Sequence, residues 1–166
     1  MWHEQLISEC SFRLLDESIP RIKHCIDHLE EEEVWYRPNQ NSNAVGHLVL
    51  HVCGNAQQYI VAGLGKHHDH RNRRAEFDVQ GTHSKADLHL LVDELSSAIR
   101  LILENLTADD LTRQYTIQGF QLSGIGVLVH VTEHFSYHTG QATYVVKALK
   151  DVDTGYYAGQ NLDITT

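Results

Sequence analysis

Proline is scarce in this 166-residue sequence, with only Pro20 and Pro38, so long helices are permitted over most of its length. No apolar run approaches the roughly 20 residues that span a bilayer, and no membrane partner is expected. The opening residues Met1-Trp2-His3-Glu4-Gln5 form neither a basic nor an apolar leader segment, which leads us to expect a cytoplasmic location. Basic charge is in deficit: 13 Lys and Arg against 22 Asp and Glu leave a net charge of −9. Such a chain repels phosphate backbones, so no nucleic-acid partner is expected. Arg71-Asn72-Arg73-Arg74 is too short a basic run to alter that. The three cysteines, Cys10, Cys25 and Cys53, are odd in number and contain no CxxC pair. They read as separate packed thiols in a reducing compartment. There is no internal repeat, no G-x-S-x-G, no P-loop and no G-x-G-x-x-G.

What remains is an ordinary apolar content in a chain long enough to bury a core without disulfides or a structural metal. We read residues 1–166 as a single domain. Apolar residues recur at steps of three and four in four segments. The first runs from Trp2 to Leu29, with Phe12, Leu15, Ile19, Ile22, Ile26 and Leu29 on one stripe. Pro20 should kink or divide it. The acidic run Glu30 to Glu33 and a loop over Val34–Pro38 follow. The second starts at Ser42 or Asn43, either of which can cap a helix, and continues to Leu64. Its core face is Val45, Leu48, Val49, Val52, Ala56, Tyr59 and Ile60. A long polar loop covers Gly65–His83. The third begins at Ser84, with Asp87 completing a capping-box-like start, and carries Leu88, Leu91, Leu95, Ala98, Ile102 and Leu106. After a short turn of helix at Thr107–Leu111, Tyr115–Leu122 reads as extended chain turning at Gly119. Ser123 caps the fourth helix, which runs to Lys150. The fold class is therefore all-α, a four-helix bundle with a long loop between helices two and three.

Thirteen histidines are the unusual count. His134 and His138 stand four apart, on one side of the fourth helix. They continue the apolar series Val127, Val131, His134, His138, Val145, so both rings should point into the bundle. An inward imidazole needs a partner for its ring nitrogens. Either each bonds a neighbour or the pair chelates one ion. On the second helix His51 shares a side with Ala44, Asn55 and Ala62, small neighbours that leave room for an ion. His47 lies further from the apolar centre, exposed or in an outer shell. Three inward histidines on two helices form a three-nitrogen set with open positions, as catalytic metal sites require. Two rival clusters exist. His130-Val131-Thr132-Glu133-His134 matches H-x-x-E-H, the inverted zinc-protease signature, but Glu133 falls on the polar side of the helix. His67-His68-Asp69-His70 reads as solvated loop. Cys53 lies about 200° around the helix from His51, outside the same site.

Two segments resemble a known family. Asn41-Ser42-Asn43-Ala44-Val45-Gly46-His47-Leu48-Val49-Leu50-His51-Val52-Cys53-Gly54-Asn55 resembles the helix-two signature of the DinB-like superfamily, in particular a branch known as a domain of unknown function. Glu133-His134-Phe135-Ser136-Tyr137-His138-Thr139-Gly140-Gln141 resembles its helix-four signature. Trp35-Tyr36-Arg37-Pro38-Asn39 fits the same branch. The resemblance implies a four-helix bundle, commonly a homodimer, with one zinc or nickel ion held by His51, His134 and His138. His47 departs from the asparagine often found at its position. Characterised relatives include transferases and isomerases that use a low-molecular-weight thiol, while many members have no assigned reaction and carry only the label of metal-dependent hydrolases. The implied function is a metal-dependent S-transferase acting on a small-molecule substrate through a thiolate. The alternatives are a hydrolase using metal-activated water and a metal-binding protein without catalysis. No general base stands out, with Glu133, His130 and Tyr137 the nearby candidates.

Overall fold

The computed structural model of the chain describes residues 1–78 and 81–165. It is mostly helical, with one two-stranded sheet. The first long helix joins Trp2–Ser11, a π-helical segment Phe12–Ser18 and Ile19–Asp27. Pro20 therefore neither divides the helix nor ends it. Proline lacks an N–H and crowds the carbonyl four residues back. The turn ahead of it widens instead, and Ile19 N–H bonds the Leu14 carbonyl five residues back. This wider turn also shifts the phase of what precedes it. Phe12, expected on the apolar stripe, is exposed, while Cys10 and Leu14 turn inward. Leu15, Ile19, Ile22, Ile26 and Leu29 are buried as the period predicts.

The second helix runs through Val45–Ala56 and continues as a π-helical segment, Gln57–Leu64. Its cap is Ala44 rather than Ser42 or Asn43. Ser42 is engaged elsewhere: its hydroxyl donates to Asn39 Oδ1 and its carbonyl accepts from Arg37 Nε. Alanine has no capping oxygen, and His47 Nδ1 accepts the Ala44 N–H at 3.1 Å. All seven expected core residues of this helix are buried.

The third helix, Lys85–Glu104, starts as its sequence dictates, with Ser84 Oγ accepting the Asp87 N–H and Asp87 Oδ2 accepting the Ser84 N–H. Ser84→Ala is expected to cost about 1 kcal/mol of stability, the usual loss for such a cap, read as a lower denaturant midpoint at unchanged helix content. The most buried line is Leu88, Val92, Leu95, Ile99 and Leu103. The expected stripe is thus displaced: Leu91, Ala98, Ile102 and Leu106 flank the core, only partly buried. This helix is apolar around a broad arc, and periodicity alone does not find its centre.

A short helix, Ala108–Thr112, leads into strands Gln114–Ile117 and Phe120–Ser123, which pair antiparallel. Gln118 and Gly119 both have positive φ, 54° and 81°. A two-residue hairpin turn of type I′ requires this at both positions, and glycine meets it without strain. The fourth helix, Gly124–Lys150, is capped by Ser123 Oγ and ends at Asp151 in the left-handed region. The first helix packs on the third and fourth, and the second helix packs on the same two, around one continuous apolar core. The connection between helices two and three holds a further short helix, Ala75–Asp78, lying against the second. Among the described residues no helix is long and apolar enough to cross a membrane.

Candidate metal centre

The buried arc of the fourth helix is centred on Val131, Phe135, Thr139, Ala142 and Val146. His134 and His138 lie on its shoulder, half-buried, rather than at its centre. That placement turns both rings toward the second helix, where His51 is buried. The three rings each offer a nitrogen, and these nitrogens lie within 4.8 Å of one another. His51 Nε2 and His134 Nε2 are 3.0 Å apart. Two nitrogens on one tetrahedral ion would be separated by about 3.3 Å.

The far sides of two rings decide their tautomers. His51 Nδ1 lies 2.8 Å from Glu76 Oε2. An ionised carboxylate only accepts, so Nδ1 carries the hydrogen and Nε2 presents a lone pair. His138 Nδ1 is 2.7 Å from Gln141 Oε1 and donates to that amide oxygen, leaving its own Nε2 bare. Imidazoles held by an outer acceptor with the opposite nitrogen facing inward are arranged as metal ligands are. The donor set therefore fits one metal ion that accepts imidazole ligands.

Glu76 comes from the short helix Ala75–Asp78 and is only 8 % exposed. Arg71 grips it with two prongs, Nε to Oε1 at 2.7 Å and Nη2 to Oε2 at 3.1 Å. Arg71 Nη2 also lies 3.3 Å from His51 Nδ1, because both are donors converging on the same oxygen. Burial pushes the Glu76 carboxyl up, but the hydrogen bonds from His51 and Arg71 and the Arg71 charge outweigh it and hold it below the usual range. Burial pushes His134 down to about 3, reinforced by neighbouring His138, His51 and His130. His138 is also lowered, by burial first, against the opposing Gln141 bond. The pocket thus keeps these two rings neutral, the form a metal ligand must take.

The other candidates fall outside the triad. His47, expected to be exposed or in an outer shell, is 1 % exposed and serves as the helix-two cap, edge-on to Trp35. Its polar appearance on the wheel misleads because Trp35, from a 3-10 turn over Glu33–Trp35, folds across it. His130 stacks on His134 and Tyr59 and contacts Asn55 Nδ2 at 3.3 Å. Burial lowers it, partly offset by Glu133. Glu133 itself is exposed and lines the groove shared with the first helix, together with Cys10 and Arg13. It is on the wrong side of the helix to serve a zinc between His130 and His134. Tyr137 is exposed, with its ring edge-on to His138 at 5.0 Å. All three cysteines are free and buried, and burial pushes the Cys53 thiol up to about 12.

His67, His68 and His70 are exposed, as their loop setting predicts. Replacing all three by alanine is expected to leave a full equivalent of tightly bound metal, measured by elemental analysis of the folded protein. The same connection delivers Glu76 and Arg71 to the back of His51. No periodicity marks either residue. Gly54 inside the second helix marks where they approach, though Gly46 and Gly63 in the same helix mark other contacts, so the sequence does not single it out.

Two spaces lie beside residues that contact the triad, although none of the three histidines lines either. A groove of about 540 Å³ beside Gln141 and Tyr137 is lined by Asn41, Ser42, Asn43 and Tyr144. A cavity of about 680 Å³ lies behind Glu76 and Arg71, between helices two and three, and Leu91, Leu95 and Ala98 of the displaced stripe face it.

No match to this sequence was found among curated proteins. Among solved structures, the crystal structure of a DinB-like protein, YjoA from Bacillus subtilis, at 2.30 Å resolution aligns with a TM-score of 0.67. The alignment covers 90% of this chain and 94% of that one at 19% identity, which establishes a shared fold. Residues 8–157 match the family described as protein of unknown function (DUF1572). The chain belongs to that family and has the DinB-like fold.

Proposed function

We propose that this chain is a DinB-like four-helix bundle that binds one zinc or nickel ion through His51, His134 and His138 and works as a metal-dependent S-transferase. The observation that carries the reading is the convergence of three ring nitrogens, with no fourth His, Cys, Asp or Glu joining them among the described residues. Three protein ligands leave positions for a small molecule, as in catalytic rather than structural sites. An ion held there would supply Lewis acidity that lowers the pKa of a thiol or water in the site.

The residues around it favour a thiol. An ion could activate water by itself, but hydrolysis also calls for a group that returns a proton to the leaving group. Glu133 faces the opposite groove, and both oxygens of Glu76 are occupied by His51 and Arg71. A thiolate adding to an electrophile needs no such group and attacks directly. The buried cysteines are held protonated, Cys53 most strongly, so the sulfur must come from a low-molecular-weight thiol. The groove beside Tyr137 and Gln141 offers neutral amides, hydroxyls and aromatic rings to a small substrate. A homodimer belongs to the same reading, supported by the exposed Val129, Tyr137 and Tyr144 on the fourth helix.

The test is elemental analysis of the purified protein followed by consumption of a generic electrophile with and without added thiol. Turnover is expected to need both metal and thiol and to vanish in His134→Ala. Thiol-independent, metal-dependent ester cleavage would identify a hydrolase instead, and bound metal with neither activity would mark a metal-binding protein.

A further inference from the structure

Residues 51, 54, 55 and 58 follow one another along one side of the second helix, and the connection lays Arg71 and Glu76 across them. The contact is unusually complete. Glu76 accepts from His51 Nδ1 and twice from Arg71. Arg71 is held in turn, Nη1 donating to Gln58 Oε1 at 3.0 Å and its backbone N–H to Asp69 Oδ1. Gln58 Nε2 closes the ring on Asp69 Oδ2 at 2.7 Å. Every rotatable group that reaches the carboxylate is therefore fixed by another. Gly54 makes this approach possible: a Cβ there would overlap Glu76 Oε1 and lie 3.2 Å from Arg71 Nε.

A buried carboxylate and guanidinium need such partners merely to be tolerated. A pair that only tied the connection to the helix would have no need of the imidazole. Here one carboxylate oxygen is shared between the arginine and His51, at 3.1 Å and 2.8 Å. The ring so held is the one whose Nε2 faces the two histidines of the fourth helix.

We propose that Glu76 is a positioning residue of the metal centre, fixing His51 as the Nδ1–H tautomer with Nε2 aimed at the ion, and that Gly54 is the vacancy in the helix that admits it. This rests on His51, His134 and His138 being the ligands. Outer-shell partners of this kind contribute 10–100-fold in metal affinity.

The experiment compares wild type with Glu76→Ala, Glu76→Gln, Gly54→Ala and the Gly54→Ala/Glu76→Ala double variant. Zinc affinity is measured by competition with a chromophoric chelator. The tautomer of His51 is read from ring nitrogen-15 shifts of the metal-free protein. Wild-type His51 is expected to carry its hydrogen on Nδ1. Glu76→Ala should shift the hydrogen toward Nε2 and weaken zinc about 10–100-fold. Glu76→Gln, whose amide oxygen still accepts, should keep the tautomer and most of the affinity. Gly54→Ala should match Glu76→Ala, and the double variant should be no worse than either, since both act through one contact. Unchanged zinc affinity in folded Glu76→Ala would overturn the proposal. So would an Nε2–H His51 in the wild type, which decides the matter even where a variant fails to fold. His134→Ala separates the two levels: retained metal there refutes the ligand set, whereas metal lost there but kept in Glu76→Ala refutes only the role of Glu76.

Discussion

Alanine at His134 or at His138 is expected to abolish stoichiometric zinc binding, with the affinity falling by more than about 100-fold, beyond the range typical of outer-shell partners. Each substitution removes one of three nitrogens that lie within 4.8 Å of one another. No other described His, Cys, Asp or Glu is placed to replace it: His130 faces Tyr59 and Asn55, and Glu133 the far groove. Both histidines are half-buried on the shoulder of the helix, with Phe135 and Thr139 filling the core beside them. Loss of an imidazole should therefore leave the helical content intact, and circular dichroism run alongside elemental analysis separates lost ligation from lost fold. A full equivalent of metal in both variants would refute the site.

Acid and chelator are expected to remove the ion while the helices persist. Ligation needs neutral rings, so protons compete with the metal. A free imidazole titrates near 6.5. Burial holds His134 near 3 and lowers His138, so proton competition begins on the acid side of the free value. Metal loss should therefore fall on the acid side of that value and steepen once more than one ring takes up a proton. The metal-free protein follows a separate rule. Above pH 6.5 His134 is neutral in both folded and unfolded chains and contributes nothing. Between 6.5 and about 3 the unfolded chain binds a proton that the folded one refuses, so stability falls as the pH falls through that window. His134→Ala should make this acid loss shallower. At neutral pH none of it applies, and a core running from Leu14 and Ile22 to Val127 and Val146 holds the metal-free chain together. Helical signal and bound metal, followed in one chelator titration, should part company. If they fall in step, the ion is structural.

The two helices bearing the histidines were legible because a helix converts spacing into direction. His134 and His138 stand one turn apart, and the seven expected core residues of the second helix are all buried. The capping pair Ser84 and Asp87 announced the third helix by the same local chemistry. What failed did so for stated reasons. Phe12 was lost to a π-turn that a fixed period does not anticipate. The third-helix stripe was displaced because leucines and isoleucines occupy two adjacent lines. Glu76 and Arg71 were invisible because a loop has no period, and their burial depends on a tertiary contact with Gly54. His47 was misplaced since its polarity serves a backbone N–H rather than solvent.

The division of the site between rigid helices and an irregular connection bears on how such a protein can diversify. The three imidazoles sit on helices whose other residues build the core, so their positions are bound to the packing and are hard to alter singly. The carboxylate behind His51 comes from a segment that contributes little to that packing. A library randomised over residues 66–76 would sample how firmly the ring is held, and hence metal affinity and exchange rate, on an unchanged scaffold. Selection could thus retune the centre by rewriting the connection alone, a form of modularity that sites built wholly on core helices lack.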